Sequence, residues 1–198
     1  MYKKMKEKES IKYEAIVIGV SAGGLGALTK VLPALNEKMK LPVLIVQHLR
    51  VDSDDFMAKH LSTICRRKVK EAEDKEPIEP GTVYFAPPNY HLLVEPDKTI
   101  SLSTEGRVNY SRPSIDVLFM AAADVFYNKL IGIILTGANS DGTNGAIRIK
   151  KRGGLVIVQD PKTAEADAMP LSAIEKTDVD HIVPLNELGE FINSIAEG

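Results

Sequence analysis

The feature that most constrains this chain is a rhythm of short apolar, largely β-branched runs, each ending at a loop and each followed by residues with helical spacing. Residues 14–19 (EAIVIG), 42–47 (PVLIVQ), 130–135 (LIGIIL) and 155–158 (LVIV) carry the strand signal. A strand with one wet face would alternate apolar and polar residues, so near-continuous apolar runs read as strands buried on both faces, the habit of parallel sheets. Helical spacing appears next over 24–35, over 54–64, where Asp54 and Asp55 suit the positive end of a helix, and over 114–127. It returns over 145–152, closed by Gly153-Gly154, and over 170–176 and 185–196, with a short strand at 181–183.

Between 68 and 103 the character changes to proline-bounded short runs and turn residues, which predict antiparallel strands or hairpins attached to an edge of the main sheet. The fold class expected is therefore α/β: a doubly wound, mainly parallel sheet with helices on both faces and an antiparallel hairpin excursion. The 198 residues suit a single domain over 1–198, opened by a charged lead-in over 1–12.

Composition narrows the function classes. A formal net charge of -2 gives the whole chain no electrostatic pull toward nucleic acid, and no apolar run approaches the roughly 18 residues of a membrane span. Nucleic-acid partners and an integral membrane protein are both disfavoured. Cys65, the only cysteine, rules out an internal disulfide and a multi-cysteine metal site and fits a reducing compartment, so a cytoplasmic location is expected. Nothing in the pattern sets an oligomeric state.

In folds of this kind ligands bind beyond the carboxyl ends of the strands, so the loops after the apolar runs come first. The first is Gly19-Val20-Ser21-Ala22-Gly23-Gly24, a G-x-S-x-G turn. Its glycines permit a crowded turn that exposes the hydroxyl beside backbone N–H groups able to hold an oxyanion. Taken alone, Ser21 also fits a simple helix cap. A phosphate-cradling loop fits less well, because neither G-x-G-x-x-G nor G-x-x-x-x-G-K-[ST] is present and the second strand ends in Gln47-His48 rather than in an acidic residue. His48 stands at the same sheet edge as Ser21, where a neutral imidazole could take the hydroxyl proton. His60, His91 and His181 do not directly follow a central strand, and a Cys65–His60 dyad has nothing to orient its base.

The third loop, residues 136–145 (TGANSDGTNG), follows the strand at 130–135 and carries Asp141. An Asp-Gly pair usually marks a turn, and an EF-hand reading fails because Arg148 stands where the twelfth-position glutamate belongs. A carboxylate at this edge can instead hold an imidazole in one tautomer. Ser21, His48 and Asp141 on three strand-end loops thus form a candidate nucleophile, base and orienting acid, with no metal or organic cofactor required.

These segments resemble the catalytic domain of the chemotaxis-receptor methylesterases, the CheB family. The resemblance runs through VIGVSAGG (17–24), VQH (46–48), FAPPNYHLLV (85–94), RPSIDVLF (112–119), LTGANSDG (135–142) and AMPLSAI (168–174). It implies a serine hydrolase that removes methyl esters from glutamate side chains of methyl-accepting chemotaxis receptors through an acyl-enzyme. Glutamine deamidation on the same receptors, and a binding module that kept the fold without the chemistry, are the alternatives. It also implies an oxyanion hole near the amides of Ala22 and Ala138, a pocket wall that includes Met169, and Arg112 and Arg50 as residues steering an acidic receptor helix. The sequence departs from the family pattern at Ala22 (commonly threonine), Ala138-Asn139 (commonly Met-Gly), Leu49-Arg50 and Ala168. Only a charged lead-in of about a dozen residues precedes the first strand, so the receiver domain usual in the family, and phosphorylation control in cis, are not expected.

Overall fold

The computed structural model describes residues 12–48 and 56–196. Seven parallel strands form one sheet in the order β3-β4-β2-β1-β7-β8-β9, where β1 is Ala15–Val20, β2 Val43–Gln47, β3 Val69–Glu71, β4 Val83–Phe85, β7 Leu130–Ile134, β8 Leu155–Gln159 and β9 His181–Val183. A separate antiparallel pair, β5 (His91–Val94) and β6 (Ile100–Ser103), lies outside it. The helices are α1 (Gly24–Val31), α2 (Phe56–Ile64), α3 (Ile115–Phe126), α4 (Thr143–Lys151), α5 (Ala168–Lys176) and α6 (Leu188–Ala196).

Period-two alternation along β1 explains the two layers. Ile16, Ile18 and Val20 pack with α1, α2 and α6 through Leu28, Leu61 and Ile192. Ala15 and Val17 pack with α3, α4 and α5 through Phe119, Ile149 and Ala173. A strand covered this way has no wet face, which is why β1, β2 and β7 carry no outward polar residue before their ends. The fold is the doubly wound α/β arrangement expected.

The reading of 68–103 is corrected in part. β5 and β6 form the antiparallel excursion, packed against α3, but β3 and β4 are parallel members of the main sheet that extend it beyond β2. Three residues each, they gain their stability from pairing, Val83 with Val43 and Val69 with Val83, rather than from any pattern of their own. The expectation for Asp54 and Asp55 lies outside the described residues.

Candidate active site

Register delivers the first two residues. β1 and β2 pair in parallel with Val20 opposite Gln47, so Ser21 and His48, one residue further on, leave the sheet side by side. The Ser21 amide donates to the Thr136 carbonyl beyond β7, and the His48 amide to the Val20 carbonyl. Gln47 ties the two loops, its Nε2 donating to the carbonyls of Ser21 and His48 at 2.9 and 3.0 Å. Gly24 must lack a side chain here, since a Cβ would lie 1.8 Å from Gln47 Oε1. The residue that enters α1 with left-handed backbone is Gly23, at φ 76°, and α1 has no side-chain cap, so Ser21 is not a cap.

Ser21 Oγ lies 3.1 Å from His48 Nδ1, and His48 Nε2 lies 2.8 Å from Asp141 Oδ2. An ionised carboxylate only accepts, so Nε2 carries the ring proton and Nδ1 is left to accept from the serine hydroxyl. Asp141 is fully buried at its side chain, whereas His48 is 12% exposed. Burial alone would raise the Asp141 carboxyl. Hydrogen bonds from His48, Asn109 and the Ile115 amide, with the charge of His48, outweigh it and hold the group below its ordinary value.

The partners of Asp141 beyond His48 carry no signal in the sequence. Oδ1 of Asp141 accepts from Asn109 Nδ2, Ser114 Oγ and the Asp116 amide at 2.8, 2.9 and 3.2 Å, and Oδ2 accepts from the Ile115 amide at 2.7 Å. The carboxylate therefore sits on the N-terminus of α3, where the helix dipole also favours negative charge. Gly19 and Gly142 make this approach possible, because a Cβ at either would fall 2.3 or 2.7 Å from Ile115 Cγ2. His91, which the sequence places outside the central strand ends, is buried nearby. Its Nδ1 accepts from the Ser114 amide at 3.2 Å and its Nε2 donates to the Gly106 carbonyl at 3.0 Å, so it braces the same helix start. Only a buried strand-end histidine beside a later Ser-x-Asp helix start could have hinted at it.

The remaining expected residues divide between the exposed loop and the structure behind it. Ala22 and Ala138 are exposed next to the hydroxyl, and their amides donate to no group among the described residues. Met169 is wholly buried. It backs Gly137 from beneath, where a Cβ would meet Met169 Sδ at 2.2 Å and Ser21 Cβ at 3.0 Å. Arg112 donates to Asn89 Oδ1 and to the carbonyls of Thr104 and Glu105, which makes it a strut of the loop leading into α3. Arg50 lies outside the described residues. No cluster of three or more metal-ligating side chains exists among the described residues, and no helix there is long and apolar enough to cross a membrane.

Fold and site together define an α/β protein whose strand-end loops carry a Ser–His–carboxylate array of the kind serine hydrolases use. Residues 16–192 match the family described as CheB methylesterase. A relative from Leptospira interrogans is 56% identical over 180 residues, covering 91% of this chain and 93% of its own. The Pyrococcus abyssi protein-glutamate methylesterase/protein-glutamine glutaminase is 37% identical over 181 residues, 90% of this chain but 49% of its own. The crystal structure of the Thermotoga maritima CheB methylesterase catalytic domain matches with a TM-score of 0.89 at 34% identity, over 92% of this chain and 98% of that one. The chain belongs to the CheB methylesterase family.

Proposed function

We propose that this chain is a protein-glutamate methylesterase that acts on methyl-accepting chemotaxis receptors with Ser21 as nucleophile, His48 as base and Asp141 as the group that orients it. The observation that carries the reading is the 3.1 and 2.8 Å chain of contacts from Ser21 to His48 to Asp141 in a member of this family. Ser21 Oγ attacks the ester carbonyl as its proton passes to His48 Nδ1; the same proton leaves with methoxide as methanol. Water, losing its proton to the same nitrogen, then hydrolyses the acyl-enzyme and frees the glutamate carboxylate and the serine. The amides of Ala22 and Ala138, which have no partner among the described residues, would hold the oxyanion; loss of one such donor raises a barrier by about 2.7–4 kcal/mol. Met169 would fix the wall behind Gly137, and Arg112 and Arg50 would draw in an acidic receptor helix.

A second reading, deamidation of receptor glutamines, has support in the double name of the Pyrococcus relative and uses the same relay with ammonia as leaving group. One assay separates the two: a receptor fragment carrying both methylated glutamates and glutamines is incubated with the protein, and methanol and ammonia are measured. Methanol release that disappears in Ser21→Ala, with labelling of Ser21 by a serine-directed phosphonate, is expected. Release that survives Ser21→Ala would remove Ser21 from the role given to it.

A further inference from the structure

The loop before α3 ends in a tight two-residue turn. Val108 and Ser111 exchange both backbone hydrogen bonds, at 3.1 and 2.9 Å, and Asn109 and Tyr110 between them have φ of 50° and 63°. Positive φ at both central positions is the type I′ geometry, and asparagine is among the few residues other than glycine that accept it. The turn itself is exposed, yet the Asn109 carboxamide reaches inward. Its single nitrogen donates to Asp141 Oδ1 at 2.8 Å and to Asp116 Oδ2 at 2.8 Å, one hydrogen to each.

Asp116 is itself buried, and its other contacts are the Gly145 amide on Oδ1 at 2.7 Å and Asn144 Nδ2 on Oδ2 at 3.2 Å. Among the described residues every partner of both carboxylates is a donor, the Ser114 hydroxyl included. Two buried like charges bridged by one amide group repel unless donors between them compensate.

We infer that Asn109 is a positioning residue for the relay: by donating to Asp141 and Asp116 at once, it holds two neighbouring buried carboxylates as acceptors and keeps Asp141 Oδ2 aimed at His48. The inference rests on the catalytic reading of Ser21, His48 and Asp141. The titratable groups facing this cluster are His48 from the end of β2, Asp116 from α3 and His91 from β5 through the Ser114 amide. Arg112, in the same loop, is taken up by Asn89 and two carbonyls and pairs with neither carboxylate.

Asn109→Asp keeps the shape and the tolerance for positive φ but replaces the donor with a third carboxyl, while Asn109→Gly keeps only the turn. With an activated ester as probe, kcat of Asn109→Asp at pH 8 is expected to fall roughly 10- to 100-fold, the scale known for lost outer hydrogen-bond partners in metal sites. KM should stay within about twofold, because the group removed does not face the ester. The deficit relative to the parent should shrink as pH is lowered from about 8 to about 6, because the three-carboxyl cluster then takes up a proton and regains a donor. Asn109→Gly, where only water can replace the amide, should lie between the two, with a deficit that does not depend on pH. Ser21→Ala runs alongside: turnover surviving in it refutes the site reading, whereas a dead Ser21→Ala beside a fully active Asn109→Gly overturns the inference alone, whether or not Asn109→Asp folds. A pH-independent loss in Asn109→Asp that tracks its unfolded fraction would also overturn it.

Discussion

Replacing Asp141 with asparagine keeps the volume and turns one acceptor into a donor, and the surrounding contacts decide which way the new amide faces. If its nitrogen takes the place of Oδ1, it confronts Asn109 Nδ2, the Asp116 amide and the Ser114 hydroxyl, of which only the hydroxyl can rotate to accept. If it takes the place of Oδ2, it confronts the Ile115 amide and His48 Nε2, and the imidazole can adapt by moving its proton to Nδ1. The second arrangement strands fewer donors and should win. It leaves the Ile115 amide without a partner, at about 1–3 kcal/mol, which lowers Tm by about 2–4 °C for each kcal/mol in a chain of this size. It also points an N–H at Ser21, so His48 cannot accept the hydroxyl proton. A tautomer reversal of this kind reduces kcat by about 10⁴ in a serine protease, equivalent to about 5.5 kcal/mol of barrier. The assay is kcat on an activated ester with Tm measured by calorimetry on the same preparation. A kcat within tenfold of the parent in folded Asp141→Asn would refute the reasoning.

Ser21→Ala and His48→Ala should each lower kcat by roughly 10⁴ to 10⁶, and the double variant should be little worse than either, since members of one relay act as a unit; additive losses in ester kinetics would contradict this. Gly137→Ala places a methyl against Met169 Sδ and Ser21 Cβ, so it should lose about 1–3 kcal/mol of stability and up to about 10²-fold in kcat, whereas Gly26→Ala, with nothing near its Cβ, should gain about 0.5–1 kcal/mol. Equal unfolding curves for the two would refute the packing account. Acid unfolding has a definite sign. Asp141 and Asp124 are held below their ordinary values, Asp141 because burial, which raises it, is outweighed by the hydrogen bonds from His48, Asn109 and the Ile115 amide taken together, and Asp124 chiefly by hydrogen bonds from Arg148 and Arg152. Their contribution is complete above the unfolded value near pH 4 and is lost as pH falls through the lower folded values, so Tm should be flat above about pH 5 and drop below it, less steeply in Asp141→Asn.

The central sheet was legible because each buried parallel strand must be apolar on both faces, and β1, β2, β7 and β8 say so residue by residue. Ser21 and His48 were legible for a related reason: a one-residue step past paired strand ends puts them side by side, whatever the helices do. β3 and β4 were not legible, since three-residue strands such as VKE carry no periodicity and the prolines at 77 and 80 mimic hairpin punctuation. Asn109, Ser114 and Asp116 were equally hidden. They meet Asp141 across 25 to 32 residues of chain, through a helix start that the sequence marks only with a serine before an apolar run.

The two ends of the relay are built to opposite rules, and the difference comes from what each must do. A buried carboxylate is tolerable only when its lone pairs are met, and Asp141 has five donors on two oxygens, fixed by α3 and by the turn at 108–111. Nothing about that group is left to adjust when a substrate arrives. At the other end, among the described residues, Ser21 Oγ has one partner and the amides of the exposed residues Ala22 and Ala138 have none. Donors left free at the surface remain available to charge that develops only during reaction, which is where an electrostatic contribution lowers a barrier instead of tightening the ground state. The stability of the site thus resides in the carboxylate and its shell, and its reactivity in the exposed serine loop. Alterations to the Asp141 shell must disturb both properties together, while alterations at Ser21 can remove the chemistry and leave the fold intact.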